Sequence, residues 1–182
     1  MRKNIIFAVL VAATLLPAGK ASAQDHYGHV SAGPTLGHIR TLQGNYYAVG
    51  TYAGVSADLE QFAFSGSYED YGAAFGKVLK GAGKESEAEI FCVDLGYHFP
   101  LAGNRVRLTP FLGGFAGTYS AGSGCTGSFG LTMGGSATWN FTGRWSVFAT
   151  AKAWYTLLSD HGEPGCGMNG GESLKLGVMF DL

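Results

Sequence analysis

Strict alternation between apolar residues and small or polar ones limits most strongly what this chain can fold into. In the two longest uninterrupted runs, Phe129–Phe141 and Trp145–Tyr155, every second residue is apolar or small. A period of two matches a β-strand whose two faces meet different surroundings. A helix would need a period near 3.6. These runs therefore predict half-buried strands.

The same alternation recurs through the chain and continues to Leu182. Counting the runs predicts eight strands, at about 28–37, 46–58, 61–71, 88–99, 105–118, 127–140, 144–156 and 172–182. The predicted connections are alternately short and long, and the long ones are about 38–45, 72–87, 119–126 and 157–171. Short turns on one rim and long loops on the other are typical of an up-and-down barrel.

The non-apolar face of these strands indicates which side of the barrel meets water. The runs 127–140 and 145–156 contain a single charged residue, Lys152, and only 14% of the whole chain is charged. A water-facing exterior so poor in charge would aggregate. A narrow lumen, in contrast, is filled by small and polar side chains while the apolar face meets lipid. The pattern favours an all-β, eight-stranded antiparallel up-and-down transmembrane β-barrel, with a secreted soluble lipocalin-like ligand-binding barrel as an alternative.

The predicted strand length suits a membrane. Strands of about 11 residues, rising ~3.3 Å each and tilted by ~40°, cover roughly 25–28 Å, which matches the apolar band of an outer-membrane barrel. Aromatic residues near the predicted strand ends are expected to form girdles at the two membrane interfaces. They are Tyr46, Tyr47, Tyr97, Phe99, Tyr119, Trp139, Phe141, Trp145, Trp154 and Tyr155.

The N-terminal segment predicts export. Arg2 and Lys3 precede an apolar run, and Ala21-Ser22-Ala23 is a small-x-small cleavage pattern, so residues 1–23 are predicted to be a signal peptide. Residues 24–182 then form the barrel domain. Cleavage leaves 9 basic and 13 acidic side chains, a net charge of −4. This balance argues against a nucleic-acid partner, which would select a basic surface.

On these strands the mature sequence resembles the small eight-stranded outer-membrane barrels of Gram-negative bacteria, the OmpA-like and OmpX-like group. The resemblance covers essentially the whole mature chain and rests on the strand pattern, not on a motif. It implies an outer-membrane location, contact with lipid and lipopolysaccharide, and recognition by the barrel-assembly machinery during biogenesis. Members typically end on an aromatic residue, whereas here Leu182 is last and Phe180 lies two positions before it. We expect a monomer.

Charged residues at inward positions are expected to form an ion-pair network that fills the lumen. Strand pairing at the C-terminus is expected to put Lys152 opposite Lys175, and two facing lysines need carboxylates nearby. Asp94 and Glu69 are the candidates. The predicted network consists of Glu69, Asp94, Arg107, Lys152 and Lys175.

Two of the three cysteines predict a disulfide. Cys125 and Cys166 fall in neighbouring predicted loops on the same rim, and an exported protein meets an oxidising compartment. With 40 residues between its cysteines, the bridge is expected to contribute roughly 4 kcal/mol in the chain-entropy model. Cys92 lies among inward positions and is expected to be a buried free thiol.

The sequence indicates no catalytic, cofactor-binding or metal site. Ser159, Asp160 and His161 are adjacent, and adjacent residues do not converge as a catalytic triad must. His29 and His38 belong to opposite ends of one strand, well over 20 Å apart, so they do not share a metal. We expect a non-enzymatic outer-membrane protein with a structural, adhesive or surface-interaction role. The alternative within the same fold is a lipid A-modifying enzyme.

Overall fold

The computed structural model describes residues 26–42, 44–72, 77–80, 87–102, 105–121, 124–160 and 167–182. The predicted signal peptide, residues 1–23, lies outside the described residues. The described chain forms ten strands: β1 (His26–Thr41), β2 (Gly44–Leu59), β3 (Phe62–Tyr71), β4 (Lys77–Lys80), β5 (Glu87–Tyr97), β6 (Phe99–Leu101), β7 (Val106–Ala121), β8 (Gly124–Asn140), β9 (Trp145–Ser159) and β10 (Met168–Asp181).

All pairings are antiparallel, and they close the sheet on itself because β1 pairs with both β2 and β10. Two of the ten strands are short continuations of others. Strand β4 follows the line of β3 along β2, and β6 follows β5 along β7. The result is a closed eight-stranded barrel, as predicted. No helix in the described residues is long and apolar enough to cross a membrane.

A proline explains why β5 and β6 are separate. Pairing of β5 with β7 ends at Gly96, and pairing of β6 begins at Phe99, so Pro110 on β7 lies opposite the gap. Proline has no N–H to donate to a neighbouring strand. Inside the gap, the backbone N–H of His98 donates to the carbonyl of Gln61 at 2.7 Å.

Two of the predicted long loops are wrong. Strand β1 continues to Thr41 and β2 begins at Gly44, while β7 continues to Ala121 and β8 begins at Gly124. Only two residues therefore separate the strands of each pair, where loops at 38–45 and 119–126 were expected. The alternation weakens at these ends, but the backbone ladder continues because paired N–H and C=O groups need no apolar side chain. Strands of 16 residues reach roughly 40 Å at the usual tilt.

The barrel is apolar outside and polar inside. Outward side chains along the middle of the strands form a continuous apolar belt, whose members include Leu36, Phe64, Phe91, Val93, Leu95, Leu108, Leu112, Leu131, Met133, Val147, Leu174, Leu176 and Val178. The buried polar residues alternate with them and line the lumen: Thr35, Ser67, Glu69, Asp94, Thr132, Thr138, Ser146, Thr150, Lys152, Ser173 and Lys175. This arrangement is the reverse of a soluble ligand-binding barrel.

Three aromatic residues expected in the interfacial girdles lie inside the barrel. Tyr46, Tyr119 and Trp154 are each buried to 98% or more. Trp154 has the same parity as Lys152, so it shares the lumen face of β9. We call the rim where β1 begins and β10 ends the lower rim, and the opposite one the upper rim. Outward aromatics do cluster at the lower rim, where Trp145 contacts Phe180 with ring centroids 4.9 Å apart.

Candidate functional site: the charged lumen

Glu69, on β3, is the centre of the charge network inside the barrel. It is fully buried, and its Oε1 lies 2.6 Å from Lys152 Nζ on β9 and 2.7 Å from Lys175 Nζ on β10. Its other oxygen, Oε2, accepts a hydrogen bond of 2.6 Å from the Tyr71 hydroxyl. One carboxylate thus joins strands from opposite sides of the barrel.

Lys152 and Lys175 were predicted to lie opposite each other, but they do not. In the β9–β10 register, Lys152 pairs with Ser173, and Lys175 pairs with Thr150, so the lysines are offset by two residues. Because of this offset, the two ammonium groups approach Glu69 from different heights along the barrel axis. Because like charges directly opposite each other destabilise a strand pair, the register avoids that cost.

Hydroxyl and aromatic groups fix the position of this cluster. The Tyr71 hydroxyl also lies 3.0 Å from Thr35 Oγ1, and Lys175 Nζ lies 4.4 Å from the centroid of the Tyr52 ring. Space for Tyr71 depends on glycine: a Cβ on Gly37 or Gly50 would come within 3 Å of its ring. These glycines are lumen residues whose missing side chains allow a large ring to be buried.

Asp94 and Cys92 lie near the same cluster on β5. Asp94 accepts a hydrogen bond from the Thr132 hydroxyl and has no ion-pair partner among the described residues. Cys92 is a buried free cysteine, and Lys152 Nζ donates to its Sγ at 2.9 Å. Glu69, Asp94, Lys152 and Lys175 together carry two negative and two positive charges, so this part of the lumen is balanced.

Arg107 belongs to a second cluster, nearer the lower rim. Its Nη1 donates to Asp58 Oδ2 at 2.8 Å. His29 Nε2 lies 2.9 Å from the same oxygen, and His98 Nε2 lies 3.1 Å from Oδ1. His29 Nδ1 lies 2.7 Å from Asp181. The predicted network is therefore divided between two sites, each built around one buried carboxylate.

Asp58 and its two histidine neighbours were not part of the predicted network. His98 has the inward parity of Cys92 and Asp94, whereas Asp58 ends a weakly alternating run whose pattern did not place its side chain inward. A signal was nevertheless present. Asp181 has the parity of Lys175, so the pattern places it in the lumen on the strand that must pair with β1, although only the register brings it to His29.

The rest of the lumen is largely filled. Towards the upper rim, buried apolar side chains pack together: Ile39, Tyr46, Ala48, Tyr71, Ala88, Ile90, Cys92, Phe115, Tyr119, Trp154 and Met168. Between the two charged clusters a cavity of about 90 Å³ remains, and its lining includes Asp94, Lys175 and Thr109. In the described residues, no group of three or more His, Cys, Asp or Glu side chains is arranged to hold a metal ion.

The predicted disulfide is not tested by the described residues. The backbone of Cys125 lies in β8 opposite Ser120, so it is in a strand and not in the predicted loop. The side chain of Cys125 and all of Cys166 lie outside the described residues.

If Cys125 and Cys166 form a bridge, a chain unfolded without reductant will react with a maleimide at one thiol, that of Cys92. Mass spectrometry of the labelled chain counts the adducts. Cys125→Ser is the control, and it should raise the count to two because Cys166 becomes free. Three adducts on the unreduced parent chain would exclude the bridge.

No protein-family model matches the sequence, and no curated protein matches it significantly. Solved structures do match. Neisserial surface protein A (NspA) is 12% identical with a TM-score of 0.61, and the match covers 85% of this chain and 96% of that one. Ail, the attachment invasion locus protein of Yersinia pestis, is 13% identical with a TM-score of 0.58 and coverages of 87% and 99%. The N-terminal barrel domain of Pseudomonas aeruginosa OprF is 16% identical with a TM-score of 0.56 and coverages of 87% and 100%.

Identities this low show a shared fold and nothing finer, but the match spans almost the full length of each structure. The strand number, closure and inside-out polarity described above agree with it. The chain therefore has the fold of the small eight-stranded outer-membrane barrels, the group that its strand pattern resembles.

Proposed function

We propose that the chain is an integral outer-membrane β-barrel protein of a Gram-negative bacterium, exported through a cleaved signal peptide. The observation that carries this proposal is the belt of exposed apolar side chains around a closed barrel. In water such a belt would far exceed the apolar patches that soluble proteins tolerate. In a bilayer it is the surface that lipid requires.

We further propose that the protein is not an enzyme and acts through its upper rim. The charged groups of the lumen bind one another, and the upper lumen is packed with apolar side chains, so the described interior offers no open cleft for a substrate. The strands reach roughly 40 Å, whereas the apolar band of a bilayer takes about 25 Å. Strand ends at the upper rim would thus project beyond the membrane, where they can meet partners.

Polar outward residues near the upper rim support contact with lipid headgroups. Arg40 and His38 on β1 both pair with Glu172 on β10, at 3.0 and 2.7 Å. The His38 ring stacks on Tyr47 at 4.7 Å between centroids. We propose that this band lies at the level of lipopolysaccharide phosphates, where Arg40 and the amphipathic ring of Tyr47 suit the interface. Structural neighbours include an attachment protein and a surface protein by name, which is consistent with a surface-interaction role.

Membrane fractionation combined with an SDS gel of heated and unheated samples tests the proposal. We expect the chain in the outer-membrane fraction, with a mobility shift on boiling because a closed barrel resists SDS until it is heated. Recovery only as a soluble periplasmic protein would exclude the proposal and restore the soluble-barrel alternative. Mass spectrometry of lipid A, with and without the protein, should show the same acyl pattern. A changed pattern would establish the lipid A-modifying alternative.

A further inference from the structure

The seam where the barrel closes has an unusual histidine. His29, on β1, is 97% buried and lies between the two strands that flank β1. Its Nδ1 is 2.7 Å from Asp181 Oδ1 on β10, and its Nε2 is 2.9 Å from Asp58 Oδ2 on β2. One ring therefore links the first, second and last strands of the barrel.

The two contacts together require a particular protonation state. An ionised carboxylate only accepts hydrogen bonds, and a neutral imidazole has one N–H donor and one acceptor nitrogen. A neutral His29 would therefore direct a lone pair at one of the two carboxylates. Both contacts are hydrogen bonds only if the ring is an imidazolium, or if one of the aspartates carries the proton.

The surroundings favour the imidazolium. Asp58 also receives a charge-assisted hydrogen bond from Arg107 on β7 and lies 3.1 Å from His98, between β5 and β6. The Arg107 guanidinium holds Asp58 as a carboxylate. The Asp181 side chain is 27% exposed, so water can stabilise its charge. In the described residues, His29 is the only basic side chain within ion-pair distance of Asp181.

We propose that His29 is a proton-dependent clasp at the barrel seam: as an imidazolium it ties the C-terminal strand β10 to β1 and β2 at the lower rim. Loss of its second proton removes one of the two hydrogen bonds and leaves a nitrogen lone pair facing a carboxylate. The backbone contact between the Leu182 N–H and the Gly28 carbonyl, 2.9 Å, lies beside the clasp. Releasing the clasp would therefore loosen the tip of β10 first.

A second histidine where β1 meets β10 serves as a control for His29. At its upper end His38, also on β1, pairs with Glu172 on β10, but through one nitrogen and at an exposed site. A single contact is compatible with the neutral ring, and an exposed pair contributes little to stability. His38 therefore tests whether any histidine at the seam has the effect, or only the one held by two carboxylates.

Ring nitrogen NMR of the folded chain, labelled with ¹⁵N-histidine in detergent micelles, tests the protonation state directly. At pH 7 we expect both ring nitrogens of His29 to resonate as N–H donors of an imidazolium. His29→Gln identifies the signals by their disappearance. A His29 ring with one bare nitrogen at pH 7 would overturn the proposal, since an aspartate would then hold the proton or one contact would be missing.

Urea unfolding between pH 6 and pH 9 tests the consequence for stability. A group held protonated in the folded state stabilises it fully at acid pH, and this stabilisation is lost as the pH rises. We expect the unfolding equilibrium constant of the parent chain, relative to that of His29→Gln, to increase by roughly tenfold across this range. His38→Gln should follow the parent chain. A ratio independent of pH would contradict the clasp, and if His29→Gln does not fold, Asp181→Asn provides the same comparison.

Discussion

Glu69→Gln will destabilise the barrel by about 3–5 kcal/mol, because it leaves two ammonium groups in the lumen with no carboxylate between them. Glu69 is fully buried, and Lys152 and Lys175 approach the same oxygen at 2.6 and 2.7 Å. Both lysines are 3% exposed, so little solvent is available to replace the carboxylate. The neutral amide keeps the shape of the side chain, so the effect reports charge and not packing.

Urea unfolding of the refolded chain, followed by tryptophan fluorescence and by the boiling-dependent gel shift, measures the loss. The control is the quadruple variant Glu69→Gln, Asp94→Asn, Lys152→Met, Lys175→Met, which removes all four charges of the balanced cluster together. Replacing a whole buried ion cluster by apolar groups is often neutral or stabilising. We therefore expect the quadruple variant to recover most of the lost stability. If Glu69→Gln alone unfolded like the parent chain, the cluster would not hold the barrel together.

Met133→Arg, on the outside of the barrel, is the second large effect that we expect. Met133 lies on β8 in the middle of the apolar belt, opposite Leu112 on β7, and is 58% exposed. In a soluble barrel an arginine at so exposed a position would be harmless. At the middle of a bilayer it costs about 2–4 kcal/mol.

Folding into lipid vesicles, followed by urea titration, measures this cost, and Leu42→Arg is the matched control. Leu42 is 52% exposed, nearly as much as Met133, but it lies just beyond the upper end of β1. We expect its substitution to change stability by less than about 0.5 kcal/mol. If both substitutions changed the free energy of unfolding equally and only slightly, the membrane proposal would be contradicted. The conclusion that the chain folds as a barrel would not be affected.

The strand pattern predicted the barrel and its polarity correctly, because the lipid-facing and lumen-facing sides differ at every second residue. Parity alone placed Glu69, Asp94, Lys152 and Lys175 on the inside. The girdle prediction was wrong for Tyr46, Tyr119 and Trp154, because it rested on their position near strand ends and not on the side of the strand that each residue occupies. The strand pattern also ended β1 and β7 too early, where paired backbone extends beyond the alternating side chains.

Which inward residues meet was beyond the sequence. Lys152 and Lys175 both contact Glu69 because the β9–β10 register offsets them by two residues, and alternation is unchanged by a shift of two. Likewise, Asp58 and Arg107 lie on strands that are not neighbours, β2 and β7, and meet only across the lumen. The closing pair of His29 and Asp181 depends on the β1–β10 register in the same way.

The sequence by itself determined that this chain forms a closed, inside-out barrel, because a side-chain period of two is a local property of each strand. Only the tertiary structure decided how the lumen charges divide into two clusters and which histidine holds the seam. Those contacts depend on the stagger of the strands and on the curvature that brings distant strands together, and neither leaves a local trace along the chain.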